Sequence, residues 1–205
     1  MKRRTPPICS RVRSLLPGLA LLLLPRLAHT QEYHVDVTAE NRVTFISDAP
    51  IEDFEGVTDA IDGYLLLGPG GLGPSADLES SEFYFEVQLG TLETGIKRRD
   101  RHMRENYLET DDFPYAVYAG RLVRLEAAAD GAFHLNLEGK FSVHGVEREK
   151  EVKCTARGGE ERYRVRCRFE VSLVEHDVEI PSLMFFKIGE IVDLHLDFYL
   201  KRVLE

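Results

Sequence analysis

Over the last third of the chain, apolar and polar residues alternate with a period of two. In "FHLNLEGKFSV", Phe133, Leu135, Leu137, Gly139, Phe141 and Val143 fall on one face, and His134, Asn136, Glu138, Lys140 and Ser142 on the other. Successive strand side chains point to opposite faces, so this run predicts a half-buried strand. "RYRVRCRFEVSL" repeats the pattern, with Tyr163, Val165, Cys167, Phe169, Val171 and Leu173 against Arg162, Arg164, Arg166, Arg168, Glu170 and Ser172. "VDLHLDFYLK" closes the chain with Val192, Leu194, Leu196, Phe198 and Leu200 against Asp193, His195, Asp197, Tyr199 and Lys201. The earlier runs "YHVDV", "RVTFISDA", "FEGVT", "GYLLL", "EFYFEVQL" and "YAVYAGRLVRL" are less regular and bring the count to eight or more strands. "GPGGLGPSADLESS", Gly68 to Ser81, reads as a flexible hairpin loop between two of them.

Strands with one apolar and one wet face, and few helices to cover the apolar side, must pack on a second sheet or close on themselves. Closure also removes exposed edges. The fold class expected is therefore all-β in one domain. A closed barrel of about eight strands has an interior that side chains just fill, or that holds one small ligand. Periodicity leaves that choice open.

The alternation breaks at "IKRRDRHMRENYLETDDFPYAVYAG", Ile96 to Gly120. Here the spacing predicts a short helix over about Lys97 to Glu109, capped by Thr94, with Ile96, Met103 and Tyr107 on one side and Arg98, Arg101 and Glu105 toward solvent. Asp112-Phe113-Pro114 ends it, since the residue before a proline avoids the helical region. Such a helix would plug one end of the barrel.

Composition and charge change the picture in two ways. Residues 1 to 30 read as a secretory signal peptide: Lys2, Arg3, Arg4, Arg11 and Arg13 precede the apolar "LLPGLALLLL", Leu15 to Leu24, with a cut expected after Thr30. A spanning helix would need about 20 apolar residues. The leader carries six of the 26 bases and no acid, so the remaining chain, residues 31 to 205, keeps 20 bases against 35 acids, a net charge of −15. That argues against nucleic acid or an anionic membrane as the main partner.

Export also allows disulfides. Cys154 and Cys167 flank "TARGGEERYRVR", and a hairpin symmetric about Glu160 and Glu161 sets them directly opposite each other. The same register opposes Arg168 to Lys153 and Glu170 to Glu151, a mild conflict, but a structural bond is the favoured reading. Its closed loop suggests about 3 kcal/mol of stabilisation by the chain-entropy model.

Two segments together carry a resemblance. "RRDRHMRENYLETDDFPYAVYAG" supplies Asp100, His102, Met103 and Arg104, then Asp111, Asp112, Phe113 and Pro114; "LNLEGKFSVHGVEREKEV" supplies Gly139, Phe141, Val143, Gly145, Val146 and Val152. In order and spacing these resemble the YceI-like domain family, from about Tyr33 to Lys201. The resemblance implies a lipocalin-like closed antiparallel barrel over residues 31–205, located in the periplasm or secreted. It further implies an enclosed long apolar chain of polyisoprenoid or quinone type, no other cofactor, no enzymatic activity and frequent pairing as homodimers. This chain departs from the family pattern in the longer, more acidic "FISDAPIEDFEGVTDAIDGYLLL" and in the late "SLVEHDVEIPSLMFFKIGEIVDLHLDF", which lacks a Phe-Gly pair common before the last strands.

If the apolar faces point inward, Phe83, Phe85, Val87, Phe133, Leu135, Leu137, Phe141, Val165, Phe169, Leu194, Leu196 and Phe198 line the interior. They would either surround a hydrocarbon ligand or simply fill the barrel. With the resemblance, the ligand reading leads. Asp100, His102 and Arg104, with Met103 among them, would form a polar mouth in which Arg104 donates to a headgroup; otherwise Asp100 and Arg104, four apart, make an ordinary surface pair. Catalysis would fall to His102 with Asp100, to His134 and His144, or to His195 between Asp193 and Asp197. No nucleophile elbow, metalloprotease helix or phosphate loop accompanies any of them, and no metal site is expected from their spacing. The alternative function is a filled barrel acting as an interaction module through "MFFKI", Met184 to Ile188.

Overall fold

A computed structural model describes residues 30–47, 54–180, 182–183, 186–187 and 189–204; the leader and the side chains of 181–188 lie outside the described residues. The alternating runs form strands as expected: β1 Gln31–Val35, β2 Arg42–Ser47, β3 Phe54–Thr58, β4 Ile61–Leu67, β5 Glu82–Gln88, β6 Tyr115–Ala127, β7 Ala132–Val143, β8 Val146–Gly159, β9 Arg162–Ser172 and β12 Ile191–Arg202. A two-residue pair, β10 Ser182–Leu183 and β11 Phe186–Lys187, intervenes. Eight strands close an antiparallel barrel in the order β1-β4-β5-β6-β7-β8-β9-β12, and β12 returns to β1. β12 makes closure possible because its two halves hold different neighbours on one edge: Val192–Asp197 pair with β2, and Leu200–Arg202 with β1. The β2–β3 ribbon thus continues the line of β1 and β4 along the wall.

Burial follows the period-two pattern. Tyr163, Val165, Cys167 and Val171 of β9 are buried while Arg162, Arg164, Arg166 and Arg168 are exposed. The outer arginines meet acids of β12: Arg164 donates to both oxygens of Asp197 at 2.7 and 2.8 Å, and Arg168 to Asp193 at 3.0 Å. Such exposed pairs contribute about 0–1 kcal/mol each, so the wall is held chiefly by its ladder and its inward face.

The β8–β9 hairpin has the symmetric register, and Cys154 and Cys167 form the disulfide with their Cα atoms 4.3 Å apart. Pairing between the two strands runs from Gly159↔Arg162 only as far as this bond. Beyond it β8 pairs with β7 alone and β9 with β12 alone. The like charges that the register would have opposed, Lys153 with Arg168 and Glu151 with Glu170, are therefore not cross-strand partners. A 3-10 turn at Val174–His176 packs against β8 across the resulting seam. His176 is buried there, its Nδ1 donating to the Ser172 carbonyl at 2.9 Å and its ring edge-on to Phe141.

One end of the barrel is densely packed. Tyr33, Leu67, Leu122, Leu200, Tyr163 and Phe83 are almost fully buried in it, and the Tyr33 hydroxyl donates to the Glu160 carbonyl at 2.9 Å. The loop Gly68–Ser81 is no loose hairpin: Leu72 is buried in the core, and the Ser81 hydroxyl bridges the backbone of Leu122. The opposite end carries the helix α1, Lys97–Asn106, in the long β5–β6 connection.

Candidate functional site: the hollow end and its lid

α1 is shorter than its sequence suggests and is started differently. Ile96, not Thr94, is its N-cap, and no side chain caps it. Asp100 reaches back instead, accepting hydrogen bonds from the Thr94 N–H (2.8 Å) and hydroxyl. The Asp100 carboxyl is only 7% exposed. Burial pushes its pKa up, but the Thr94 hydrogen bonds and the charges of Arg104 and Arg99 outweigh that and hold it below the usual carboxylate range. Arg99 completes the anchor, donating from Nε to the Thr94 hydroxyl and from its terminal nitrogen to the Thr94 carbonyl, with its plane 4.7 Å over the Phe54 ring. Arg104 donates to the Leu92 carbonyl at 2.6 Å. Asp100 and Arg104 are thus bonded elsewhere rather than to each other, and their bonds tie the lid to the barrel rim.

The helix stops at Asn106, before the predicted Glu109, because the chain reverses at once: the Leu108 N–H bonds Met103 and the Thr110 N–H bonds Arg104, and Glu109 takes a left-handed φ of 45°. The following Phe113 ring lies 4.7 Å from the His144 ring in the β7–β8 turn, and His144 Nε2 contacts Glu109 at 3.0 Å. Gly145 sits at φ 75°, and a Cβ there would stand 2.6 Å from the Phe113 ring. That turn needs glycine both for its backbone and for room. The two segments that carry the family resemblance therefore touch, one latching the other.

Beneath α1 lies a cavity of about 670 Å³, within the usual range of ligand sites, about 300–1,000 Å³. Of the residues expected to line the interior, Phe85, Val87, Leu137, Phe141, Val165, Phe169, Leu194, Leu196 and Phe198 do so, joined by His102 and Met103 of the lid. Phe83, Phe133 and Leu135 are not in its wall: Phe83 stacks on Phe85 and tilts against Tyr118, Phe133 sets its edge on Tyr163, and Leu135 is buried beneath a concavity of the outer wall. Asp100 and Arg104 are likewise absent from it. Periodicity assigns a face to each strand residue but not a height along the barrel, which is why Phe83, Phe133 and Leu135 could not be sorted in advance; Asp100 and Arg104 are drawn off by Thr94 and Leu92.

Sequence reasoning missed other parts of the wall. Phe45 and Phe54 close one side, their rings 5.9 Å apart edge to face, and Phe45 lies over Gly56, where a Cβ would meet it at 2.1 Å. Leu89, Leu92 and Leu108 come from the connections around α1. Tyr118 reaches the cavity with its ring, but its hydroxyl donates between the carbonyls of Leu137 (3.0 Å) and Lys150 (2.9 Å). Burial first, then the carboxylates Glu138, Glu151 and Glu149, raises its pKa, so it stays a neutral donor. Ser47 also lines the cavity; it is 1% exposed and its hydroxyl has no partner among the described residues.

A second concavity, about 870 Å³, opens on the outer wall at the β8–β9 seam, lined by Arg42, Lys153, Arg168 and His195 among others. Cys167 and Leu196 line both spaces. His134, His195 and His144 do not assemble a metal centre: among the described residues no group of three or more His, Cys, Asp or Glu side chains is placed to hold an ion.

A hollow antiparallel barrel with an apolar interior and a helical lid has the geometry of a binding protein. The chain belongs to the YceI-like domain family, whose model matches residues 33–200. In fold it is similar to BcnA of Burkholderia cenocepacia, at TM-score 0.65 and 12% identity, over 80% of this chain and 98% of that one. It is similar too to a polyisoprenoid binding domain from Saccharophagus degradans implicated in plant cell wall breakdown, at TM-score 0.64 and 16% identity, over 83% of this chain and 98% of that one. No curated protein matches the chain. No helix among the described residues is long and apolar enough to cross a membrane.

Proposed function

We propose that this protein is an exported, non-enzymatic carrier that holds a long apolar ligand of isoprenoid or quinone type in the hollow end of its barrel. The observation that carries the reading is the cavity itself: aliphatic and phenyl side chains from β2, β5, β7, β9 and β12 surround an interior space that the packed end of the same barrel lacks. Each 100 Å² of ligand hydrocarbon moved there from water gains about 2.5 kcal/mol. The polyisoprenoid binding named for the similar domain from Saccharophagus degradans supports the ligand class, and the basic and apolar leader of residues 1 to 30 supports export.

The test is mass spectrometry of an organic extract from gently purified protein, beside a sample unfolded, stripped of lipid and refolded. A stoichiometric isoprenoid or quinone in the first sample alone is expected. An empty barrel that also takes up no added quinone or polyprenyl lipid would sink the carrier reading and leave the interaction module, whose "MFFKI" patch lies outside the described residues apart from the backbone of Phe186 and Lys187.

A further inference from the structure

The cavity is apolar in its depths but not at its mouth. Arg98, Arg99 and His102 of α1 line it there, and the acidic side chain in its wall is Glu179. The carboxylate on the same helix turn, Asp100, is withdrawn onto Thr94 and does not face the space. Arg99 is held by Thr94 and Phe54, whereas Arg98 is exposed and has no hydrogen-bond or ion-pair partner among the described residues. His102 lies beside the Tyr107 ring at 6.0 Å, with its imidazole nitrogens unengaged among the described residues. This cationic rim belongs to a chain of net charge −9.

Helix physics does not explain the rim. Lys97, Arg98 and Arg99 occupy the first turn of α1, where the helix dipole disfavours cations and favours anions. Arg98 there has no hydrogen bond or ion pair, among the described residues, that ties it to the helix that bears it. In the same cavity wall, Ser47, the cross-strand partner of the Phe54 over which Arg99 lies, is buried with an unpartnered hydroxyl among the described residues, and such a group is costly unless something oxygen-bearing meets it.

We infer that the ligand is an anionic amphiphile, its phosphate or carboxylate head held at the mouth by Arg98 with His102 beside it and its tail in the cavity. Ser47 donates to an oxygen of the same ligand. The inference rests on the carrier reading and deepens it, and it transfers the anchoring role from Arg104, which is bonded to the Leu92 carbonyl, to Arg98. A neutral quinone or alcohol head would leave Arg98 without an anionic partner.

The experiment is calorimetric titration of the lipid-stripped, refolded chain with three probes sharing one tail: farnesyl phosphate, farnesoic acid and farnesol. The two anions are expected to bind about tenfold more tightly than the alcohol, as charge-assisted hydrogen bonds require, and the tighter of the two identifies the head as phosphate or carboxylate. Arg98→Ala should abolish that preference while leaving farnesol binding unchanged, and Arg98→Lys should keep most of it. Equal binding of all three probes would overturn the anionic head while leaving the carrier reading in place. Loss of farnesol affinity in Arg98→Ala would overturn the anchoring role, and failure of all three probes would overturn the carrier reading itself.

Discussion

The two ends of the barrel are built from the same alternating strands and behave as different materials. At the packed end, Tyr33, Phe83, Leu122 and Tyr163 are almost fully buried, with the Tyr33 and Tyr163 rings 5.5 Å apart, the ladder is continuous from β8 to β9, and Leu72 of the Gly68–Ser81 loop joins the core. At the other end β8 and β9 part beyond the disulfide, the large side chains stand back against the wall, and the space is closed by a helix held through hydrogen bonds at Thr94 and Leu92. The difference teaches that the interior space goes with strand divergence and the lid, and it predicts that the packed half contributes most of the stability.

Phenylalanine truncation should separate the halves most sharply. Phe83→Ala at the packed end, where the side chain is 1% exposed, is expected to cost about 3–5 kcal/mol in denaturant unfolding. Phe169→Ala in the cavity wall should cost less than half of that, since its ring already borders empty space, and should instead reduce uptake of an apolar ligand. Equal losses would break the comparison.

The disulfide stands at the boundary. Replacing Cys154 and Cys167 together by Ser, or reducing the bond, should lower stability by about 3 kcal/mol on the chain-entropy account, visible as a lower Tm under reductant. Because Cys167 and Leu196 are shared by the cavity and the outer groove, the reduced protein should also release a bound apolar ligand faster.

The lid depends on polar bonds as well as on the packing of Met103 and Leu108 against the core. Asp100→Ala should cost about 1–3 kcal/mol by leaving the Thr94 donors unmet. The sign with pH follows from the depressed folded pKa of Asp100. Its stabilisation is fully present above the unfolded value, about 3.9, and is lost as pH falls through the folded one. The stability gap between the native chain and Asp100→Ala, followed by thermal melts from pH 7 downward, should therefore close below about pH 4. The smallest expected effect on stability is that of Ala116→Leu in the cavity wall, within about 0.5 kcal/mol because the added methyl groups enter space, while ligand stoichiometry falls.

Much of this molecule was legible in its sequence. The period of two placed β7, β9 and β12 and their inward faces, since adjacent strand side chains cannot share a side. Hairpin symmetry about Glu160 and Glu161 placed the Cys154–Cys167 bond, and the segment from Asp100 to Pro114, with the strand ending at Gly145, placed the chain in its family. These are local properties, set by a few consecutive residues and the geometry of one turn.

What only the tertiary structure decided are quantities that depend on residues far apart in the chain. Phe83 and Phe85 have the same period and composition, yet one is core and the other cavity wall, because height along the barrel is set by the register of all eight strands together. Helical spacing set Arg104 at the mouth and Arg98 toward solvent; the structure reverses this, because the Leu92 carbonyl captures Arg104 while Arg98 lines the cavity. Whether an inward face is filled depends on how far the opposite wall stands away, and no single strand carries that distance in its own sequence.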